Sequence, residues 1–225
     1  MLLALTDHLR CTASHEESAL VARADVAEHR RMARGVLGCP VCLVEREVQG
    51  GVIYWGAAGA GAALLAPLAP PAQLGDADED AVLRAGALLG FADSLAPFVL
   101  CGTEAAAAIG LSGMADAALV LLDPPDDRAA PLATLIRGAP RVPMAAASAR
   151  GVALDARGAD PLWMASAVRA LAPRGRLVAP VACAVPPGIR ELARDEVQWV
   201  GEREPDFVSI GRGVLRSPVH APVRS

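Results

Sequence analysis

Residues 151–182 read GVALDARGADPLWMASAVRALAPRGRLVAPVA, and this segment indicates the fold class. A short apolar run closed by an acid comes first, and Asp160 and Pro161 then supply the N-cap and the first position of a helix. Pro173 and Gly175 predict the end of that helix, after which a second apolar run begins. Two apolar strands joined by one helix form a βαβ unit, whose strands are parallel and covered on both faces. The sequence therefore predicts an α/β fold.

The turn between this helix and the second apolar run resembles that of a known family. Residues 171–177 read LAPRGRL, which is similar to the "L-x-P-G-G-x-L" turn before the fifth strand of class I S-adenosylmethionine-dependent methyltransferases, with Arg174 replacing one glycine. The resemblance implies a Rossmann-like, mostly parallel sheet with helices on both faces, spanning residues 76–225. The elements expected in it are strands at 95–102, 117–123, 141–144 and 151–155, helices at 105–111 and 189–202, and a final hairpin at 207–216.

The resemblance implies three cofactor-binding residues, Gly102, Asp123 and Asp155. Gly102 and Asp123 lie 21 positions apart, close to the spacing between a glycine turn and a ribose-binding acid in dinucleotide folds. Asp155 ends the predicted fourth strand, and a loop residue without a role is its alternative. The family's "G-x-G-x-G" turn reads GTEAA from Gly102 onward. Glu104 thus brings a carboxylate toward the cofactor's own carboxylate, an unfavourable like-charge contact for S-adenosylmethionine.

The first 56 residues carry two pairs of metal-ligand side chains. Cys11 and His15 form C-x3-H, and Cys39 and Cys42 form C-x2-C. A tetrahedral Zn2+ site needs two such pairs on tight turns, with ligand distances of about 2.0 to 2.3 Å. Strands expected at 19–24, 31–37 and 48–55 would complete a small zinc ribbon. A redox C-x-x-C pair, or cysteines that act only as small apolar residues, are the alternatives.

This first segment resembles the small zinc-ribbon proteins that activate methyltransferases, together with their short bacterial relatives. The matching pieces are residues 5–11, 37–42 and 50–53, while Thr12 and His15 depart from the pattern. The resemblance implies that the segment docks onto a protein partner.

Composition limits the remaining function classes. The 225 residues are 53% hydrophobic with a formal net charge of −4, which argues against a generic nucleic-acid surface. Residues 57–75 are rich in Ala, Gly and Pro and are expected to form a linker, because prolines interrupt them and a membrane span needs about 20 apolar residues. No export signal is evident, and five cysteines without a disulfide pattern suggest a reducing, cytoplasmic location.

Two functions compete on these observations, and no nucleophile constellation or other catalytic residue emerges. The altered glycine turn favours a non-catalytic protein, a pseudoenzyme that acts in protein interaction or regulation. The retained Gly102 and Asp123 favour an active methyltransferase with the zinc ribbon acting in cis. A structural subunit of a larger assembly is a further alternative. The sequence does not specify a substrate or an oligomeric state.

Overall fold

A computed structural model describes residues 1–56, 78–125 and 130–205, and eleven strands within these ranges form one sheet. The predicted linker at 57–75 and the predicted hairpin at 207–216 lie outside the described residues. The strands are β1 (Val21–Glu28), β2 (Arg31–Gly38), β3 (Glu45–Gln49), β4 (Val52–Tyr54), β5 (Ser94–Cys101), β6 (Ala117–Leu122), β7 (Ala133–Arg137), β8 (Ala149–Ala153), β9 (Leu171–Pro180), β10 (Ile189–Arg194) and β11 (Gln198–Arg203).

The strands are ordered β1-β2-β3-β4-β7-β6-β5-β8-β9-β11-β10 across the sheet. Neighbours from β4 to β9 run parallel, whereas the pairs on either side of this centre are antiparallel. The parallel centre is therefore flanked by β1–β3 on one side and by the β10–β11 hairpin on the other. The α/β class and a parallel centre of the sheet are confirmed.

Three α-helices of the described residues pack on the two faces of the sheet. They are α1 (Glu79–Leu89), α2 (Ala108–Ser112) and α3 (Pro161–Ala170). The side chain of Asp160 accepts a hydrogen bond from the amide of Leu162 at 2.7 Å, so the predicted N-cap of α3 is present. Short 3-10 turns cover Leu3–Asp7, Gly102–Ala107 and Ala156–Ala159. No helix in the described parts of the chain is long and apolar enough to cross a membrane.

Alternation along the strands divides the core between the two faces. Leu100 of β5 and Leu121 of β6 pack with α1 and α2, whereas Val99 and Val120 pack with α3 and with the first segment of the chain. Side chains of a strand point to opposite faces in turn, which explains how continuous apolar runs are buried on both sides.

The first segment of the chain is continuous with the rest of the sheet. Ile53 of β4 pairs with Ile136 of β7 in parallel register, and Met32 and Leu37 of β2 belong to the same core cluster as Val99. The expected third strand at 48–55 divides into β3 and β4, because two glycines with positive φ form a turn between them. The proposed boundary between a module at 1–56 and a domain at 76–225 stays a prediction.

Two expected elements are wrong. Residues 141–144 are not the third strand, which is Ala133–Arg137 instead. The carbonyl of Pro143 accepts a hydrogen bond from the amide of Arg10 at 2.9 Å, so this segment holds the N-terminal part of the chain. Val142 and Met144 are fully buried in this position, so the segment buries its apolar side chains without joining the sheet as a strand.

The second incorrect element is the helix expected at 189–202, where the chain forms β10 and β11. Trp199 pairs with Ala179 of β9 and is fully buried. Pairing with the apolar edge of β9 therefore outweighs the local helical propensity of this segment.

Candidate functional site

The four predicted metal ligands come together at one end of β2. The donor atoms of Cys11, His15, Cys39 and Cys42 all lie within 4.8 Å of one another. Cys39 follows the last residue of β2. Cys11 follows Arg10, which pairs with Ala19 shortly before β1. The group could hold a metal ion, as the spacing of the ligands predicts.

Tight turns present backbone amides to the sulfur atoms. The amide of Leu43 donates to the carbonyl of Cys39 at 2.9 Å, and Leu43 has a φ of 59° with its side chain exposed. Burial raises the pKa of the Cys39 thiol, but amide donors from Cys42 and Val41 outweigh this effect and lower it to about 6. Amides of Val44 and Ala13 reach Cys42 and Cys11 in the same way. This turn therefore favours the thiolate form, which is the form that ligates metals.

The three sulfurs also oppose one another's ionisation. The amide of Val44 lowers the pKa of Cys42, but burial and the neighbouring Cys39 and Cys11 raise it above its ordinary value overall. Three thiolates so close together require a cation among them. A divalent ion would satisfy that requirement.

His15 offers one defined ring nitrogen to the group. Its Nδ1 lies 2.6 Å from the carbonyl oxygen of Glu16. A carbonyl only accepts hydrogen bonds, so Nδ1 donates, and in the neutral ring Nε2 keeps its lone pair. The pKa of His15 is raised by this carbonyl first and by Cys11 second. Nε2 is the nitrogen that faces the sulfur atoms, at 3.4 Å from Sγ of Cys39.

Two of the distances between donor atoms are close to those of a tetrahedral zinc site. Sγ of Cys11 and Sγ of Cys42 are 3.7 Å apart, and Nε2 of His15 lies 3.4 Å from Sγ of Cys39. Zn–S bonds of about 2.3 Å and Zn–N bonds of about 2.0 to 2.1 Å at tetrahedral angles give about 3.8 and 3.6 Å for these separations. Three thiolates and one imidazole form a soft donor set of the kind that selects Zn2+ over Mg2+ or Ca2+.

The three predicted cofactor residues lie at one edge of the sheet. Gly102 follows β5, Asp123 follows β6 and Asp155 follows β8, and these strands are neighbours in the order β6-β5-β8. Ligands of open α/β sheets bind beyond the carboxyl ends of such strands. The three residues therefore lie together at this edge, and their role in cofactor binding stays a prediction.

This edge is occupied by an arginine that the sequence pattern does not reveal. Arg157 reaches Oδ2 of Asp155 with Nη1 at 3.5 Å and Oδ2 of Asp123 with Nη2 at 3.8 Å. Nη1 also lies 3.4 Å from the carbonyl oxygen of Leu122, and the guanidinium covers the ring of Trp163 at 5.4 Å. The guanidinium thus bridges the ends of β6 and β8 across the end of β5.

Gly102 and Asp155 are in direct contact beneath this bridge. Gly102 has a φ of 53°, and a Cβ added to it would lie 2.8 Å from Cγ of Asp155 and closer still to its carboxylate oxygen. The positive φ favours glycine, and an added Cβ would force the carboxylate of Asp155 to move. The side chain of Asp155 therefore fills the space beside the glycine turn.

Glu104 lies next to this group on the 3-10 turn that follows β5. It lines a shallow hollow between α1 and β11, together with Thr103, Arg84 and Gln198. Burial, and then the charge of Asp155, raise the pKa of Glu104. Glu104 therefore lies near a second carboxylate, that of Asp155, whereas the contact with a cofactor carboxylate stays a prediction.

Comparison with solved structures finds a chain described as "Putative methyltransferase yhhF from Escherichia coli". It is 18% identical to this chain with a TM-score of 0.36, and the similarity covers 56% of this chain and 83% of that one. No protein-family model matches the chain, and no curated protein matches it. A likeness this distant carries no conclusion about this chain.

Proposed function

We propose that this chain is a non-catalytic zinc protein with a methyltransferase-like fold, which acts in protein interaction or regulation in a reducing cytoplasm. The observation that carries the proposal is the position of Arg157, which pairs with Asp123 and Asp155 at the edge where a cofactor would bind. A ribose that bound Asp123 would have to displace this guanidinium. The displaced guanidinium would lose its ion pairs with both carboxylates, and this loss would lower the affinity for S-adenosylmethionine.

The turn after β5 opposes cofactor binding in a second way. Asp155 fills the space beside Gly102, and the carboxylate of Glu104 has a raised pKa in the adjoining hollow. The carboxylate of an amino-acid ligand would add a further negative charge to this group. The edge is therefore better suited to internal ion pairs than to the carboxylate end of such a cofactor.

The metal centre supports an interaction role. A zinc ion bound by four side chains would fix the turn at 39–44, from which Val41 and Leu43 project with 50% and 78% of their surface exposed. Exposed apolar side chains on a rigid turn are suited to contact with a protein partner. All five cysteines are unpaired thiols, which agrees with a reducing compartment.

An active methyltransferase is the second candidate. Its support is that Gly102, Asp123 and Asp155 do meet at one edge of the sheet. It requires Arg157 to move away when the cofactor binds.

The test combines metal analysis with titration of the purified, zinc-replete protein. We expect about one zinc per chain by plasma mass spectrometry, lost in Cys39→Ser and retained in the matched Cys183→Ser, since Cys183 is buried outside the centre. Isothermal titration with millimolar S-adenosylhomocysteine should give no binding. Micromolar binding that Gly102→Arg abolishes would establish the second candidate, and binding seen only in Arg157→Ala would show that the guanidinium alone blocks the edge.

A further inference from the structure

Arg46 is a buried cation directly beside the metal ligands. Its exposed fraction is 3%, and its Nη2 lies 3.3 Å from Sγ of Cys11. Its guanidinium covers the ring of Trp55 at 4.6 Å, and Nη1 makes a long contact of 3.4 Å to the carbonyl oxygen of Val44. Nε is buried without a hydrogen-bond partner in the described part of the chain. Arg46 is thus enclosed by the ligand turns and one aromatic ring.

This cation requires an anion, and the described residues offer it no carboxylate. Ion pairs of the described chain involve other arginines, and Arg46 is in none of them. A charge buried without a counter-charge costs several kcal/mol in a protein interior. The sulfur of Cys11 is the group within reach that can carry a negative charge. Burial of Arg46 therefore argues that the cysteines form a thiolate centre in the folded protein.

We propose that Arg46 is the built-in counter-cation of the metal centre, an inference that rests on the proposed zinc site. Three thiolates, one neutral imidazole and Zn2+ carry a net charge of −1, and the guanidinium brings the enclosed group to neutrality. The hydrogen bond from Nη2 also fixes the sulfur of Cys11 in its ligating position. Partners of this kind around a metal typically change its affinity about 10- to 100-fold when they are removed.

The same charge balance predicts a dependence on the metal. Without the metal, Arg46 stays buried with no carboxylate beside it among the described residues. With the metal bound, the net negative charge of the metal centre balances the positive charge of Arg46, and the two groups attract each other. Replacing Arg46 with an apolar side chain of similar size should therefore weaken zinc binding, and should leave the metal-free protein as stable as before or more so.

The test uses the full chain and measures zinc affinity by competition with a chromogenic chelator. Arg46→Met removes the charge and keeps the volume, Arg46→Lys keeps the charge, and Arg34→Met is the matched control, since Arg34 is exposed on the neighbouring β2. We expect zinc affinity to fall about 10- to 100-fold in Arg46→Met. We expect a smaller loss in Arg46→Lys and no change in Arg34→Met.

Three results would overturn the inference. Wild-type affinity in Arg46→Met would show that the charge is irrelevant, and equal losses in Arg46→Met and Arg46→Lys would assign the effect to shape. A wild-type chain that binds no zinc would overturn the proposed function and this inference together, whereas the first two results leave the zinc site intact. If Arg46→Met does not fold, the zinc affinity of Arg46→Lys decides: a loss of 10-fold or more overturns the charge assignment, and a smaller loss supports it.

Discussion

Gly102 is the residue on which the arrangement at the sheet edge most depends. It combines a φ of 53° with a direct contact to the side chain of Asp155. We expect Gly102→Ala to lower the free energy of unfolding by about 3 kcal/mol, of which about 1 to 2 kcal/mol comes from the left-handed backbone and the rest from the clash. Urea unfolding of the zinc-replete protein measures the change.

Gly50→Ala provides the matched control for this prediction. Gly50 has a similar φ of 58°, but no atom lies within 4 Å of an added Cβ. Only the backbone cost, about 1 to 2 kcal/mol, should remain there. An Asp155→Ala background should also relieve part of the cost at Gly102. Equal losses at Gly102 and Gly50 would contradict the close contact.

Single residues show how far the sequence was informative. The four metal ligands could be predicted because tight turns and pair spacing are local properties of the chain. Arg157 could not, because its two carboxylate partners are brought together only by the order of the strands. Burial of Arg46 was only weakly indicated, because alternation along β3 places it on the same face as the buried Val48. Charged residues are seldom fully buried, so this pattern was not sufficient to identify it.

The β10–β11 hairpin is held to α1 by one exposed acid in its turn. Oδ1 of Asp195 accepts hydrogen bonds from the amides of Val197 and Gln198 at 2.8 and 2.9 Å, and Oδ2 pairs with Arg84 of α1. The two amides and then Arg84 lower the pKa of Asp195 to about 2. The turn requires a short acceptor at this position, which explains why the segment breaks into two strands here.

Asp195→Asn should remove a pH-dependent part of the stability. The native pKa lies below the unfolded value of about 3.9, so the contribution of the carboxylate is complete above about pH 4 and is lost as the pH falls toward 2. Because Asp195 is exposed, the effect should be a small drop in the unfolding midpoint near neutral pH. The difference between wild type and Asp195→Asn should shrink as the pH falls. A difference that does not change with pH would show that the charge has no role.

In the protein as a whole, strands from residues 1–56 and from the rest of the described chain belong to one sheet, although the sequence predicts two domains there. Local patterns gave the βαβ unit and the class, because both depend on apolar runs and helix caps. They did not give the parallel pairing of β4 with β7, which joins positions more than 80 residues apart. They also did not predict that residues 141–144 hold residues 9 and 10 of the N-terminal segment. Such contacts depend on the complete chain.

The joined sheet predicts that the metal centre and the parallel core unfold together. Met32, Leu37 and Ile53 share a core cluster with Val99 and Ile136, so loss of the first segment would expose apolar surface of the central strands. We expect calorimetry of the zinc-replete protein to show one transition, and removal of zinc with a chelator to move this whole transition to lower temperature. Binding of a ligand to the folded state alone stabilises everything that unfolds with it. Two transitions, of which only the first responds to zinc, would instead establish an independent module at 1–56.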